Sequence, residues 1–175
     1  MARRLMWMHP MHEKVPERIW LTIPGALRYR AVAVRVVAEA ARLVSGSARH
    51  DEHDLDEHDV RDPFDTAVVS AFMEIFNNVA IHAYHRDEAG RIEITITTRE
   101  RELIIELADT GTPFDPRKVP ELPNATELDI AALPEGGMGL HIAKSMLDDV
   151  SYQPGPPNKW RLAKRLPPTT QIARS

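Results

Sequence analysis

Apolar residues recur along this chain at two periods, and the switches between those periods divide it into elements. Residues 18 to 23 alternate in part and stop at Pro24-Gly25, which predicts a short strand ending in a turn. Residues 26 to 44 carry Leu27, Ala31, Val34, Ala38 and Ala41 on a helical stripe. Val32, Val34 and Val36 also alternate there, so length and the alanines decide for helix. A second helix opens at Asp62-Pro63, a capping carboxylate followed by proline in the first turn. Phe64, Val68, Phe72, Ile75, Phe76 and Val79 give it one buried face as far as about Tyr84. Ile92, Ile94 and Ile96 then alternate, β character resumes from 103 to 107, and the charged stretch 99 to 102 between them predicts a hairpin.

Residues 110 to 135 are rich in proline, hold no period and contain few large apolar side chains, so they read as a long loop of the kind that usually carries function. Helix resumes near Gly137 and is expected to run to about Asp148. Two last strands follow at 150 to 152 and 160 to 166, around a turn at 153 to 159. Residues 1 to 18 are expected to be a flexible extension and 167 to 175 a disordered tail. No internal repeat is present.

With 175 residues, 43% hydrophobic and 27% charged, the chain has the size and balance of one domain with a real core. The net charge of -4 gives no whole-molecule attraction to nucleic acid, which is not expected as a direct partner. The absence of cysteine removes disulfides, thiolate metal sites and cysteine nucleophiles together, and fits a reducing compartment. The apolar stretch at Leu5 to Met8 is too short for a secretory core, and no run of about 18 apolar residues predicts a membrane span. A cytoplasmic protein is expected.

Candidate chemistry sits at three places. On the second helix, Glu74, Asn78 and His82 recur every four residues and so share one stripe. An amide oxygen there can ligate a hard cation such as Mg2+, and a carboxylate can orient or deprotonate an attacking hydroxyl. An ordinary solvent-facing helix edge has the same spacing. Asp109 closes a strand, where its carboxylate can accept from an exocyclic amine, while Gly111 lets backbone approach a ring. A simple Asp turn reads the same way. Gly136, Gly137, Met138 and Gly139 lead into a helix whose amides and dipole favour phosphate, although glycines also begin helices for steric reasons. The stretch 46 to 62, with His50, His53 and His58 among carboxylates, reads as an acidic linker; a transition-metal site there is the rarer alternative to a solvated charge run.

Taken jointly, these residues resemble the GHKL (histidine kinase-like) ATPase superfamily, and most closely its RsbW-type anti-sigma factor serine kinases. The helix motif is similar to ExxxNxxxHAY, here Glu74, Asn78, His82, Ala83 and Tyr84. The strand-end motif resembles DxGxPFDP, here Asp109, Gly111, Pro113, Phe114, Asp115 and Pro116. The third resembles GGxGLxI, here Gly136, Gly137, Met138, Gly139, Leu140, His141 and Ile142, followed by a helix ending at Met146 to Tyr152. The likeness spans roughly residues 19 to 166. It departs from relatives in the longer acidic stretch 50 to 59, and at Asn158 to Arg161, where a Gly-Asn pair is common.

The resemblance implies an α/β (α+β) two-layer sandwich, the Bergerat fold, with helices on one face of a mixed, mainly antiparallel sheet and an ATP lid at 112 to 135. It implies that Glu74 is the catalytic base, that Asn78 holds Mg2+, and that Asp109 recognises adenine with Gly111 beside it. His82, Pro113, Phe114, Gly136, Gly137, Met138, Gly139 and Leu140 complete the expected nucleotide site. ATP and Mg2+ are the expected cofactors, and a STAS-domain antagonist, a sigma factor and a second copy of the chain the expected partners. Two functions follow: a serine kinase of a partner-switching pathway, or a non-catalytic ATP-binding module that sequesters its partner.

Overall fold

A computed structural model describes residues 18–45, 62–85, 89–118 and 138–167. The acidic linker with its histidines (46–61), Gly136, Gly137, lid residues 119–135, the N-terminal 17 residues and the tail from 168 lie outside the described residues.

Strand β1 (Arg18–Pro24) leads through a 3-10 turn at Leu27–Tyr29 into helix α1 (Arg30–Ser45). Helix α2 (Pro63–Asn78) continues as a π-helical turn over Val79–Ala83. Strands β2 (Arg91–Arg99) and β3 (Glu102–Asp109) form the hairpin, and α3 (Met138–Met146), β4 (Asp149–Gln153) and β5 (Asn158–Arg165) complete the order. The five strands lie in the order β1-β2-β3-β5-β4, and all four pairings are antiparallel. The helices form one layer in which α2 packs between α1 and α3. This is the expected α+β sandwich, its sheet antiparallel at every described pairing.

Its layering follows from the alternation of the strands. Ile92, Ile94 and Ile96 of β2, Leu103, Ile105 and Leu107 of β3, and Trp160 and Leu162 of β5 are buried on one face and meet the helices there. Helix α2 supplies the opposing wall: Phe64, Val68, Phe72, Ile75, Phe76 and Val79 are all buried, as its period requires. Its start is the expected one, with Pro63 in the first turn and Asp62 accepting from the Phe64 N–H at 2.7 Å. Residues Pro63–Ala83 are also long and apolar enough to cross a bilayer, but half of that window is buried in this core, so its hydropathy is that of a central helix.

Helix α1 corrects the expected stripe. Ala33, Val37, Ala40 and Ala41 are buried, whereas Ala31 is exposed and Ala38 only half-buried. Ten of the sixteen α1 positions are Ala or Val, so the polar residues set the orientation: Ala31 is one turn before Arg35, which is one turn before Glu39, and that charged row faces water.

In the hairpin turn Glu100 and Arg101 both have positive φ, 48° and 67°. Two-residue hairpin turns demand that conformation, which side chains other than Gly, Asn or Asp adopt at a cost. Arg101 is fixed by further bonds, its carbonyl accepting from Leu166 N at 2.8 Å and its guanidinium donating to the Pro167 carbonyl at 2.6 Å. Replacing its neighbour, Glu100→Asn, is therefore expected to raise unfolding free energy by about 0.5–1 kcal/mol, read as a higher urea midpoint at unchanged slope.

Candidate functional site

The register of β3 with β5 sets Asp109 directly opposite Asn158, and both are buried, at 3% and 1% exposure. The Asn158 amide nitrogen donates to Asp109 Oδ1 at 2.9 Å and to the Gly111 carbonyl at 3.0 Å, while its Oδ1 accepts from Gly155 N at 3.2 Å. Gly111 N also donates to Asp109 Oδ1, at 2.9 Å. Both bonds to the carboxylate thus fall on Oδ1, which leaves Oδ2 for an outside donor. Burial pushes the Asp109 carboxyl above the usual range, and the bonds from Asn158 and Gly111 pull partly against it.

The loop after Asp109 hangs from the end of α2. Ala83 O accepts from Thr112 N at 2.9 Å, and Tyr84 OH accepts from Thr110 N at 2.9 Å while donating to Arg91 O at 2.5 Å. Gly111 lies against the Ala83 carbonyl so closely that a Cβ would stand 2.7 Å from its carbon. The Tyr84 ring fits between Gly25 and Gly90, where a Cβ on either would overlap it. The π turn makes this possible: Tyr84 N reaches back five residues to Val79 O at 3.3 Å, a wider turn that presents Ala83 and Tyr84 to the loop.

The same turn alters the stripe on α2. Glu74 and Asn78 keep their four-residue spacing on regular helix, whereas His82 falls in the wide turn and is exposed. Glu74 extends toward the first turn of α3, where a Cβ on Gly139 would collide with its Oε2. The helix motif and the glycine motif therefore meet at this carboxylate. Of the remaining expected residues, Pro113 is exposed, Met138 half-buried and Leu140 buried in the hydrophobic core, so the Leu140 side chain serves packing.

Phe114 also has a packing role. Its ring centroid lies 5.4 Å from that of Tyr152, edge-on, and 5.0 Å from that of Trp160, and its N–H donates to Tyr152 OH at 2.8 Å. Burial raises the Tyr152 phenol above its ordinary value, the bond from Phe114 N–H lowers it, and the negative charge of Asp109 raises it. This cluster fastens the start of the 112 to 135 stretch to β4 and β5. Beyond it, Asp115 pairs with Arg117 at 2.9 Å and a 3-10 turn spans Pro116–Lys118.

Asn158, Tyr84 and Tyr152 are the members that sequence reasoning did not assign. Asn158 had a legible signal, since Trp160 and Leu162 alternate inward and Asn158 continues their row. An amide at an inward position calls for a buried partner.

The profile of the histidine kinase-like ATPase domain matches residues 25–163, and the chain belongs to that family. It is similar to the serine-protein kinase RsbW of Bacillus thuringiensis, 30% identical over 138 residues that cover 77% of this chain and 76% of that one. Shorter matches are to the serine-protein kinase RsbW of Oceanobacillus iheyensis, at 35% identity over 46% of this chain, and the serine/threonine-protein kinase BtrW of Bordetella bronchiseptica, at 32% over 46%. The chain spans about half the length of these two relatives, 52% and 55%. Its resemblance within the family is to the RsbW type.

Because the native Asp109 carboxyl holds its proton more tightly than the unfolded chain does, its contribution to stability is fullest below the ordinary carboxylate range. That contribution is lost as pH rises through the raised native value. Asp109→Asn should therefore gain stability relative to the wild type between about pH 3.5 and 7, measured by urea unfolding across the series; a pH-independent difference would contradict the raised value. Asn158→Ala removes both donors from buried acceptors and is expected to cost about 1–3 kcal/mol in the same assay at pH 7, with a smaller cost in acid, where Asp109 is protonated.

Proposed function

We propose that this chain is an ATP-dependent serine protein kinase and anti-sigma regulatory factor of a bacterial partner-switching pathway, acting in the cytoplasm on a serine of a STAS-domain antagonist and binding a sigma factor in turn. The observation that carries this reading is the meeting of Glu74 with Gly139, which sets a carboxylate at the helix start where an anion is favoured. Serine as acceptor is supported by the names of the relatives.

ATP fits the residues present. Asp109 Oδ2 is free to accept from the exocyclic amine of adenine, and guanine offers a carbonyl at the equivalent place. Gly111 leaves backbone bare beside that carboxylate. Asn78, one turn from Glu74, supplies an oxygen suited to Mg2+, which when bound neutralises phosphate charge. The acceptor serine hydroxyl gives its proton to Glu74 as its oxygen bonds to the γ-phosphorus. The bond between that phosphorus and the β–γ bridging oxygen breaks, and ADP leaves with the electron pair. Gly136, Gly137 and Gly139 line the phosphates in this reading.

Labelled ATP and a STAS-domain protein test it. Glu74→Ala should lower transfer by about 10²–10⁴-fold while calorimetry finds nearly unchanged ATP affinity; transfer at the wild-type rate would remove Glu74 as base. Asp109→Asn should fold yet fail to bind ATP, because an amide N–H would then face the adenine N–H. A stable wild-type complex with the STAS protein and no labelled serine would establish the non-catalytic module instead.

A further inference from the structure

The face of the sheet turned away from the helices carries a groove of about 540 Å³ at its hairpin end. The strand register accounts for its shape. Leu103, Ile105 and Leu107 of β3 face the helices, so Glu102 and Ile104 belong to the open side. There Ile104 lies between Thr97 of β2 and Ala163 of β5, two smaller residues, and its half-buried side chain forms an apolar floor. In the cross-strand row nearer the turn, Glu102 lies between Arg99 and Arg165, whose longer side chains form the walls. Half-buried Leu166 adds a second apolar surface and is held in place by its N–H, which donates to the Arg101 carbonyl at 2.8 Å.

Most of the charges around this groove are already engaged. Glu102 Oε2 accepts from Arg161 at 3.0 Å, and the same guanidinium donates to Asp149 Oδ2 at 2.6 Å. Asp148 Oδ2 accepts from the Arg165 backbone N–H at 2.8 Å, and the Arg101 guanidinium donates to the Pro167 carbonyl at 2.6 Å. Two guanidinium groups differ from these. Arg99 and Arg165 are exposed, and among the described residues neither side chain pairs with a carboxylate, although Glu102 stands between them in the row. Glu100 in the turn and Asp148 at the β4 end are the nearby opposing charges, and neither is paired with these two groups.

We propose that this groove binds a small phosphate monoester carried on an apolar body. Arg99 and Arg165 stand two strand spacings apart, their Cα atoms about 10 Å from each other, so both side chains can reach one anion from opposite sides. A tetrahedral phosphate offers oxygens to both guanidinium forks, whereas a carboxylate is satisfied by one. A bare ion would use the rim alone and leave Ile104 and Leu166 uncovered; an ester with an apolar group uses both. The volume agrees, since sites for small organic molecules span roughly 300–1,000 Å³. This groove is distinct from the nucleotide site: Asp109 lies at the other end of β3, about 23 Å from Glu102, on the side facing the helices. The inference therefore does not rest on the kinase reading.

Titration of the ¹⁵N-labelled full-length chain with phenyl phosphate, followed by backbone amide shifts, tests it. Amides of residues 99–104 and 165–166 should move together and saturate. Arg99→Gln and Arg165→Gln should each weaken binding by about tenfold with the remaining spectrum unchanged, whereas Glu100→Gln, which removes an opposing charge, should tighten it. Inorganic phosphate and benzoate each lack one half of the ligand and should bind more weakly than phenyl phosphate. Shifts confined to residues 109–111, or no shift up to the solubility of phenyl phosphate, overturn the proposal. So does binding that both arginine variants leave undiminished, or that inorganic phosphate or benzoate matches. None of these readouts depends on ATP or phosphoryl transfer.

Discussion

The site depends on one buried pair, Asp109 and Asn158. A carboxylate at 3% exposure is unfavourable as a charge, and the raised affinity of Asp109 for its proton records that cost. The amide opposite makes the position tolerable while also setting its geometry. Asn158 and the Gly111 N–H both engage Oδ1, so the carboxylate cannot swing freely, and its second oxygen is directed to whatever enters. The antiparallel register of β3 and β5 alone brings the two residues together across 49 positions of chain. In the proposed reading, sheet topology thereby becomes ligand selectivity, because a fixed acceptor discriminates an amine from a carbonyl far better than a mobile one.

That pair is tied to the helical layer through the end of α2. Had α2 ended as a regular helix, its last turn would present different backbone groups to the loop 109–112. The π turn widens it, so that the Ala83 carbonyl takes the Thr112 N–H and Tyr84 reaches both Thr110 and Arg91. Gly25, Gly90 and Gly111 are glycine because the Tyr84 ring and the Ala83 carbonyl occupy the space a Cβ would need. Loop, helix end, the end of β1 and the start of β2 are therefore one interlocked unit.

How much of this could be read from the chain varies with how strongly each residue restricts its neighbours. Helix α2 was legible because four large apolar residues and a capping Asp-Pro pair admit few alternatives. Helix α1 was legible in kind but not in orientation, since a run of Ala and Val leaves the apolar face undetermined and only the row through Arg35 and Glu39 fixes it. The strands were placed within a residue or two; β5 begins at Asn158 rather than Trp160 because a buried polar residue looks like a turn until its partner is known. Glu74, Asn78, Asp109 and Gly139 were singled out by motif. The assignment of Phe114 and Leu140 to the nucleotide came from motif alone, and periodicity could not say that their side chains are spent on the aromatic cluster and the core. The π turn left no mark that spacing could reveal, and so His82 was placed on a straight row.

The two ends of the proposed nucleotide site are built on different physical terms. At the base end, recognition is prepared before any ligand arrives: the carboxylate is buried, oriented by two hydrogen bonds and surrounded by elements that cannot shift independently. Little ordering cost remains when a nucleotide base binds, which is where such a pocket gains affinity and selectivity. At the phosphoryl end, Glu74 extends from rigid α2 over Gly139 at the head of α3, a place of partial positive charge that suits its carboxylate as well as it suits phosphate. An anion entering there must share that field with Glu74 or displace it. In the proposed reaction, the same attraction that parks the carboxylate at the helix start would hold it within reach of the reacting group. Under the proposed function, rigid recognition at one end and a contested anion position at the other would let nucleotide binding and phosphoryl transfer be altered separately, though α2 carries both.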